Sequence, residues 1–144
     1  MANNRMPNVI LHISGYDDLG LDEELDMAIW VNNLHDYYYH DEGEPSALDV
    51  LKSIHKTLKP GGILGVMDHN GDKDKNNAKL HRIDPDIVRN LVKDAGFIIE
   101  AESGLFGNPE DDHSLMVYSD EVYLNTDRIF IKAKKPKKIG PKEV

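Results

Sequence analysis

The sequence predicts an α/β fold, one layer of strands with helices packed against it. Three observations predict it. Short apolar runs of strand length recur along the chain, amphipathic helical segments alternate with them, and proline, glycine or capping residues mark the boundaries. At 144 residues the chain is read as one domain, long enough to bury a single core.

The elements follow in order. "NVILHIS" (8–14) alternates apolar residues and reads as a short strand ending at Gly15. "LDMAIWV" (25–31) is nearly continuous in apolar residues, the pattern of a strand covered on both faces. "EPSALDVLKSIHKTLKP" (44–60) spaces Leu48, Leu51, Ile54 and Leu58 by three and four, which makes one face of a helix. Pro45-Ser46 stand near its start and Pro60 is its stop. "GILGVMD" (62–68) is the next buried strand. "DPDIVRNLVKDAGF" (84–97) opens with Asp84 as N-cap and Pro85 in the first turn, carries Ile87, Leu91, Val92 and Ala95 on one face, and closes at Gly96. "FIIEAES" (97–103) and "RIFIKAKK" (128–135) are strands separated by a long polar loop. This β-β-α-β-α-β-β order implies a mostly parallel sheet with right-handed crossovers that ends in an antiparallel pair.

Composition narrows the function. There is no cysteine, which removes disulfides, thiolate metal sites and cysteine nucleophiles and suits a reducing cytoplasm. No apolar run of membrane-spanning length and no charged-then-apolar leader is seen. Residues 1–131 hold 11 basic and 25 acidic side chains, a balance of −14, which repels nucleic-acid phosphate and anionic membrane. Six of the seventeen basic residues gather in "KAKKPKKIGPK" (132–142). Residues 1–136 are therefore taken as the domain and 137–144 as a basic, disordered tail.

Three segments carry candidate chemistry. "NNLHDYYYHD" (32–41) follows a buried strand, where open α/β sheets place ligands. His35 is suited to general-base work with Asp36 orienting it, and the tyrosines from Tyr37 onward to an aromatic wall. The same residues would equally cap the loop and pack beneath it. Asp68 and His69 end the next strand, with His81 and Arg82 beyond the polar stretch "NGDKDKNNAK", which has the composition of a lid. "GNPEDDHSLMVYSDE" (107–121) adds Asp112 and His113 to a pocket rim, or is a solvated acidic turn. Asp36, Asp68, His69 and His113 are hard or borderline ligands, but no local ligand spacing exists and no metal is expected. An EF-hand beginning at Asp72 fails, because Asn77 stands at the turn glycine and Ile83 at the closing glutamate. Ser103, Ser114 and Ser119 lack a nucleophile elbow, which excludes that hydrolase chemistry.

Five motifs in one order complete the reading: "NLHD" (33–36), "PGGILGVMDH" (60–69), "LHRID" (80–84), "AGFIIEAES" (95–103) and "NPEDDH" (108–113). Together they resemble the C-terminal half of a class I S-adenosylmethionine-dependent methyltransferase, within a subgroup of predicted small-molecule methyltransferases. The resemblance runs from about Pro7 to Pro136. It implies a Rossmann-like sheet of strand order 3-2-1-4-5-7-6, of which strands 1 and 2 are missing here, together with the Gly-x-Gly-x-Gly turn that meets the methionine part of the cofactor. It implies S-adenosylmethionine as cofactor, with Tyr16 at the usual acid position, Asp17 or Asp18 as its substitute, and Asn32 on the cofactor side. His35, Asp36, Asp68 and His69 are the implied catalytic set. Asn33, Tyr37, His81, Arg82, Asp112 and His113 are the implied substrate set. Two functions stay open: a methyltransferase, or a fragment of one, for a small-molecule acceptor; and a non-catalytic relative serving as a dimeric binding or assembly module. Without strands 1 and 2, "LDMAIWV" keeps a bare edge. That edge is expected to be met by "NVILHIS", by a second copy in a homodimer, or by a missing N-terminal half.

Overall fold

The structure is a computed structural model that describes residues 6–39 and 45–137. Four strands and four helices follow one another along it: β1 (Leu25–Val31), α1 (Leu34–Tyr39), α2 (Ala47–Thr57), β2 (Leu58–His69), α3 (Asn77–Leu80), α4 (Pro85–Asp94), β3 (Ile98–Glu102) and β4 (Arg128–Lys134). The strands form one sheet in the order β1-β2-β4-β3. β1 pairs β2 in parallel, and β4 runs antiparallel to both β2 and β3. Three strands thus share a direction, but only one ladder is parallel, so the expected mostly parallel sheet is a mixed one. The order is that of the final four strands of the class, 4-5-7-6.

Local chemistry explains the boundaries. Ser46 caps α2 by accepting from the Asp49 N–H, and the Asp49 carboxylate accepts from the Ser46 N–H in return, a complete capping box. Asp84 caps α4, with Pro85 in its first turn, and Gly96 follows the helix at φ 96°. Helix α2 ends at Thr57, three residues before the proline expected to stop it. The chain then enters β2 at once, pairs Leu58 with Leu25, bulges out through residues 59–62, and resumes with Ile63 against Met27. The two glycines make that excursion possible. Gly61 sits at φ 86°, and a Cβ on Gly62 would lie 2.9 Å from the Lys59 carbonyl oxygen.

One face of the sheet carries the core. Leu64 and Val66 of β2 and Ile129, Ile131 and Ala133 of β4 pack against Val50, Leu51 and Ile54 of α2 and Val88 and Val92 of α4. The opposite face is open along β1 but covered farther in, where Met67 of β2 is 8% exposed. On β1, Ala28 and Trp30 pack toward the core while Met27, Ile29 and Val31 are 56%, 66% and 42% exposed, so this strand is covered on one face and not on both. Gly65 lies between Ile29 and Phe130 on the open face, and Glu100 bridges Lys132 and Lys134 farther along.

The expected strand at 8–14 does not form. Val9, Ile10, Leu11 and Ile13 are exposed, and β1 pairs with β2 alone. Alternation makes a segment suitable for a sheet, but a strand exists only where a ladder accepts it. The alternative in which "NVILHIS" meets the β1 edge is therefore not realised. Of the basic tail, residues 138–144 lie outside the described residues. Among the described residues no helix is long and apolar enough to cross a membrane.

Core and surface positions should respond differently to truncation. Leu51, fully buried beneath the sheet, should cost about 2–5 kcal/mol as Leu51→Ala in urea unfolding. Leu105, 75% exposed, should stay within about 0.5 kcal/mol as Leu105→Ala.

Candidate active site

Because β1 and β2 run in parallel, their C-terminal ends open on the same edge of the sheet. β1 hands over to α1 through Asn32, whose N–H donates to the Met67 carbonyl at 2.8 Å and whose backbone takes φ 59°. That turn swings α1 across the end of β2, where Asp68 and His69 emerge. Asp68 is fully buried and its carboxylate accepts from three donors, each at 2.8 Å: the His35 N–H, His35 Nδ1–H and the His69 N–H. The implied catalytic residues, 33 positions apart in two elements, are thereby locked into one unit.

His35 Nδ1–H donates to Asp68, which leaves the buried Nε2 on the side of Asp36. There it lies 3.2 Å from Asp36 Oδ1, and His81 Nδ1 lies 3.3 Å from the same oxygen. His81 reaches this position from the end of α3 in a left-handed conformation, φ 54°, with its ring edge-on to Tyr118. His69 turns the other way, with Nδ1 2.7 Å from the Thr126 hydroxyl. Burial opposes charge on both buried imidazoles. For His35 the Asp68 hydrogen bond and charge, helped by Asp36, outweigh burial and raise its pKa. For His69 burial wins, aided by the positive field of Arg128, and its pKa falls to about 4. At neutral pH His69 is a neutral wall of the site.

Beside this unit a cleft of about 440 Å³ runs along β1, lined by Tyr16, Leu19, Ala28, Ile29, Trp30, Asn33, Tyr37, Val50 and Ile54. Tyr37 meets both Tyr16 and Trp30 edge to face, and the Trp30 indole N–H donates to Asn33 Oδ1. The expected Tyr16, Asn33 and Tyr37 are thus brought together. Asp18 accepts from the Gly20 N–H and pairs with Lys56, while Asp17 lines a separate depression with Lys52 and Lys56. Asn32 Oδ1 is buried without a partner.

The other implied substrate residues are occupied elsewhere. Arg82 is fully buried, forks onto both oxygens of Asp111 at 2.9 and 3.0 Å, and donates further to the Leu115 and Asn70 carbonyls. His113 is held through both ring nitrogens, by Asp72 at 2.8 Å and Asp127 at 2.9 Å. The Asp112 carboxylate accepts from the Ser114 N–H, and its carbonyl accepts from Lys75. These residues tie the stretch 71–77 to the loop between β3 and β4; none of them lines the cleft. Thr126 and Tyr118, which do touch site histidines, carry no motif in the sequence. Their position depends on how the long loop returns to β4.

No family model matches the sequence, and no curated protein matches it significantly. Solved structures do share its fold. The [4+2]-cyclase SpnF superposes with a TM-score of 0.59 at 18% identity over 86% of this chain and 54% of its own. A complex between the Haloferax volcanii Trm112 methyltransferase activator and a protein assigned as a methyltransferase gives 0.59 at 18%, over 88% and 61%. The Burkholderia thailandensis 1,6-didemethyltoxoflavin-N1-methyltransferase, with S-adenosylhomocysteine bound, gives 0.55 at 17%, over 85% and 48%. The chain therefore has the fold of the class I S-adenosylmethionine-dependent methyltransferases and spans about half to three-fifths of the length of these structures.

The Arg82–Asp111 pair sets a test of stability. Burial raises the Asp111 pKa, but the Arg82 guanidinium and the N–H groups of Asp127 and His113 more than offset this and hold it below the usual value. A depressed folded pKa stabilises fully above the unfolded value, near about 3.9, and this contribution is lost as pH falls through the folded one. Asp111→Asn leaves Arg82 buried and half-paired, so it should lose about 3–5 kcal/mol at pH 7 in denaturant unfolding. The difference from wild type should narrow below about pH 4.

Proposed function

We propose that the protein is an S-adenosylmethionine-dependent methyltransferase acting on a small-molecule acceptor. The observation that carries this reading is the Asp68–His35 unit, buried at the C-terminal ends of two parallel strands beside an aromatic cleft. Methyl transfer requires donor and acceptor to be held in line with water excluded, and asks for little covalent chemistry from the protein. The residues present suit that task. His35 offers a Lewis-basic Nε2, Asp36 and His81 flank it, and neutral His69 closes the inner wall.

The cofactor implied by the fold supplies an electrophilic methyl group when bound. The orphaned Asn32 Oδ1 and the cleft walled by Tyr16, Trp30 and Tyr37 fit such a group, and they are the residues that would hold it. The sequence contains no Gly-x-Gly, so in this chain the burden of holding it falls on that wall. Asp17 and Asp18 are the acids near it, and Asp18 is already engaged by Lys56.

A second reading rests on a separate observation, the bare apolar edge and face of β1. Met27, Ile29 and Val31 make a strand suited to pairing with another β1 about a two-fold axis, which favours a homodimeric binding or assembly module. The two readings are separable. Titration calorimetry with S-adenosylhomocysteine, followed in parallel by the fluorescence of Trp30, the single tryptophan, should give saturable heat and a matching change in emission. No heat at millimolar ligand would sink the enzyme reading for this chain. With an acceptor in hand, His35→Asn, whose amide N–H can take the place of Nδ1–H against Asp68, should lower kcat by about 10²–10⁴ while leaving S-adenosylhomocysteine affinity near wild type. For the dimer, sedimentation should show a species at high micromolar concentration that Ile29→Lys dissociates. A strictly monomeric wild type counts against it.

A further inference from the structure

We propose that His35 Nε2, the Asp36 carboxylate and His81 Nδ1 bind a divalent transition-metal ion of the zinc class at the C-terminal ends of β1 and β2. One ligand atom from each of the three residues lies within 4.8 Å of the other two, the residues being drawn from α1 and from the position after α3. They include two histidines and a carboxylate separated by 45 residues, so no local spacing announces them. The set also differs from the four ligand types singled out in the sequence, of which only Asp36 takes part.

Three features of the geometry carry the assignment. First, His35 is 2% exposed, and its Nε2 has no hydrogen-bond partner although Asp36 Oδ1 is 3.2 Å away. A lone pair and a carboxylate oxygen repel at that distance, so the pair calls for a positive centre between them, a metal ion or a proton on Nε2. Second, two donors bound to one ion at about 2.1 Å stand about 3.0–3.4 Å apart in octahedral or tetrahedral arrangements. The separations from Asp36 Oδ1, 3.2 Å to His35 and 3.3 Å to His81, fall in that range. Third, His35 Nδ1–H donates to buried Asp68 at 2.8 Å, the carboxylate–histidine support that fixes the tautomer and orientation of a metal-binding imidazole.

The donor chemistry selects the class of ion. Two imidazoles and one carboxylate suit zinc, cobalt, nickel or iron better than magnesium or calcium, which favour all-oxygen shells. Three protein ligands at strand ends where Asp36 and His81 are 51% and 37% exposed leave at least one coordination position open, the mark of a reactive site. The site stands whether or not the methyl donor binds.

The test uses the full chain after dialysis against chelator. Calorimetric titration with zinc chloride should show one equivalent bound, and cobalt chloride should develop visible absorption bands of a low-coordinate nitrogen–oxygen site, displaced by zinc. His81→Ala and Asp36→Asn, both at exposed positions, should each weaken binding at least about tenfold. His113→Ala should leave it unchanged, because both ring nitrogens of His113 are already bonded within the loop. No saturable binding below millimolar metal would overturn the proposal and leave His35 as an imidazolium between two carboxylates. Equal affinity in wild type, His81→Ala and Asp36→Asn would overturn it as well, as binding elsewhere on the chain. Neither result bears on the S-adenosylhomocysteine titration, so the two readings fail separately.

Discussion

The site depends on one buried carboxylate. Asp68 sits at the end of β2, paired across the ladder with Ile129 of β4, and has no access to solvent. An unpaired carboxylate there would be prohibitive, and the chain answers with three donors from two segments. Hydrogen bonds to a charged group are each worth about 1.5–3 kcal/mol, and the two from His35 anchor α1 to the sheet. His35 cannot be placed without Asp68, and Asp68 cannot be buried without His35. The position and tautomer of the candidate catalytic group are consequences of that exchange.

A second polar knot supports the first from behind. Arg82 follows directly after His81 in the chain, and its guanidinium is locked into Asp111 and two carbonyls. Asp111 also accepts the Asp127 N–H, and Asp127 in turn binds Asn70, Asn108 and His113. Buried ion pairs add little net stability, but this one fixes where a long loop crosses the sheet end. Through Thr126 the same loop holds His69 turned away from His35. Residues of the same types thus do opposite things on two sides of one strand end. Every side-chain nitrogen of Arg82 and His113 has a partner, whereas His35 has one ring nitrogen left over.

Much of this was legible in the sequence, and the failures have physical causes. Helix α4 announced itself through Asp84, Pro85 and Gly96, because capping is local chemistry. The grouping of His35 with Asp68 was legible only through five motifs in order, since nothing in either segment points to the other. The resemblance implies Arg82 as a substrate residue, and its burial depends on Asp111, 29 positions away, which no local pattern links to it. "NVILHIS" has the alternation of a strand, yet alternation says nothing about whether a neighbouring edge accepts it. The exposed face of β1 escaped for the same reason. A continuous apolar run reports that both faces suit burial, while coverage is supplied by whatever packs there.

That open face is continuous with the site. Sheets with parallel ladders at their centre bury both faces, because crossover helices cover them. Here α2 and α4 cover one face, and the apolar half of the other ends at Met27, Ile29 and Val31 on an edge strand. Ala28, Ile29 and Trp30 of that same strand line the cleft beside Asn33 and Tyr37. Whatever pairs with β1, a second copy or a complementary half, would therefore become a wall of the cleft. Closing the edge removes water from the aromatic lining and strengthens every electrostatic contact around His35. On the proposed dimeric reading assembly and chemistry would be coupled through one strand, and β1 is where the binding-module reading and the enzyme reading become the same physical question.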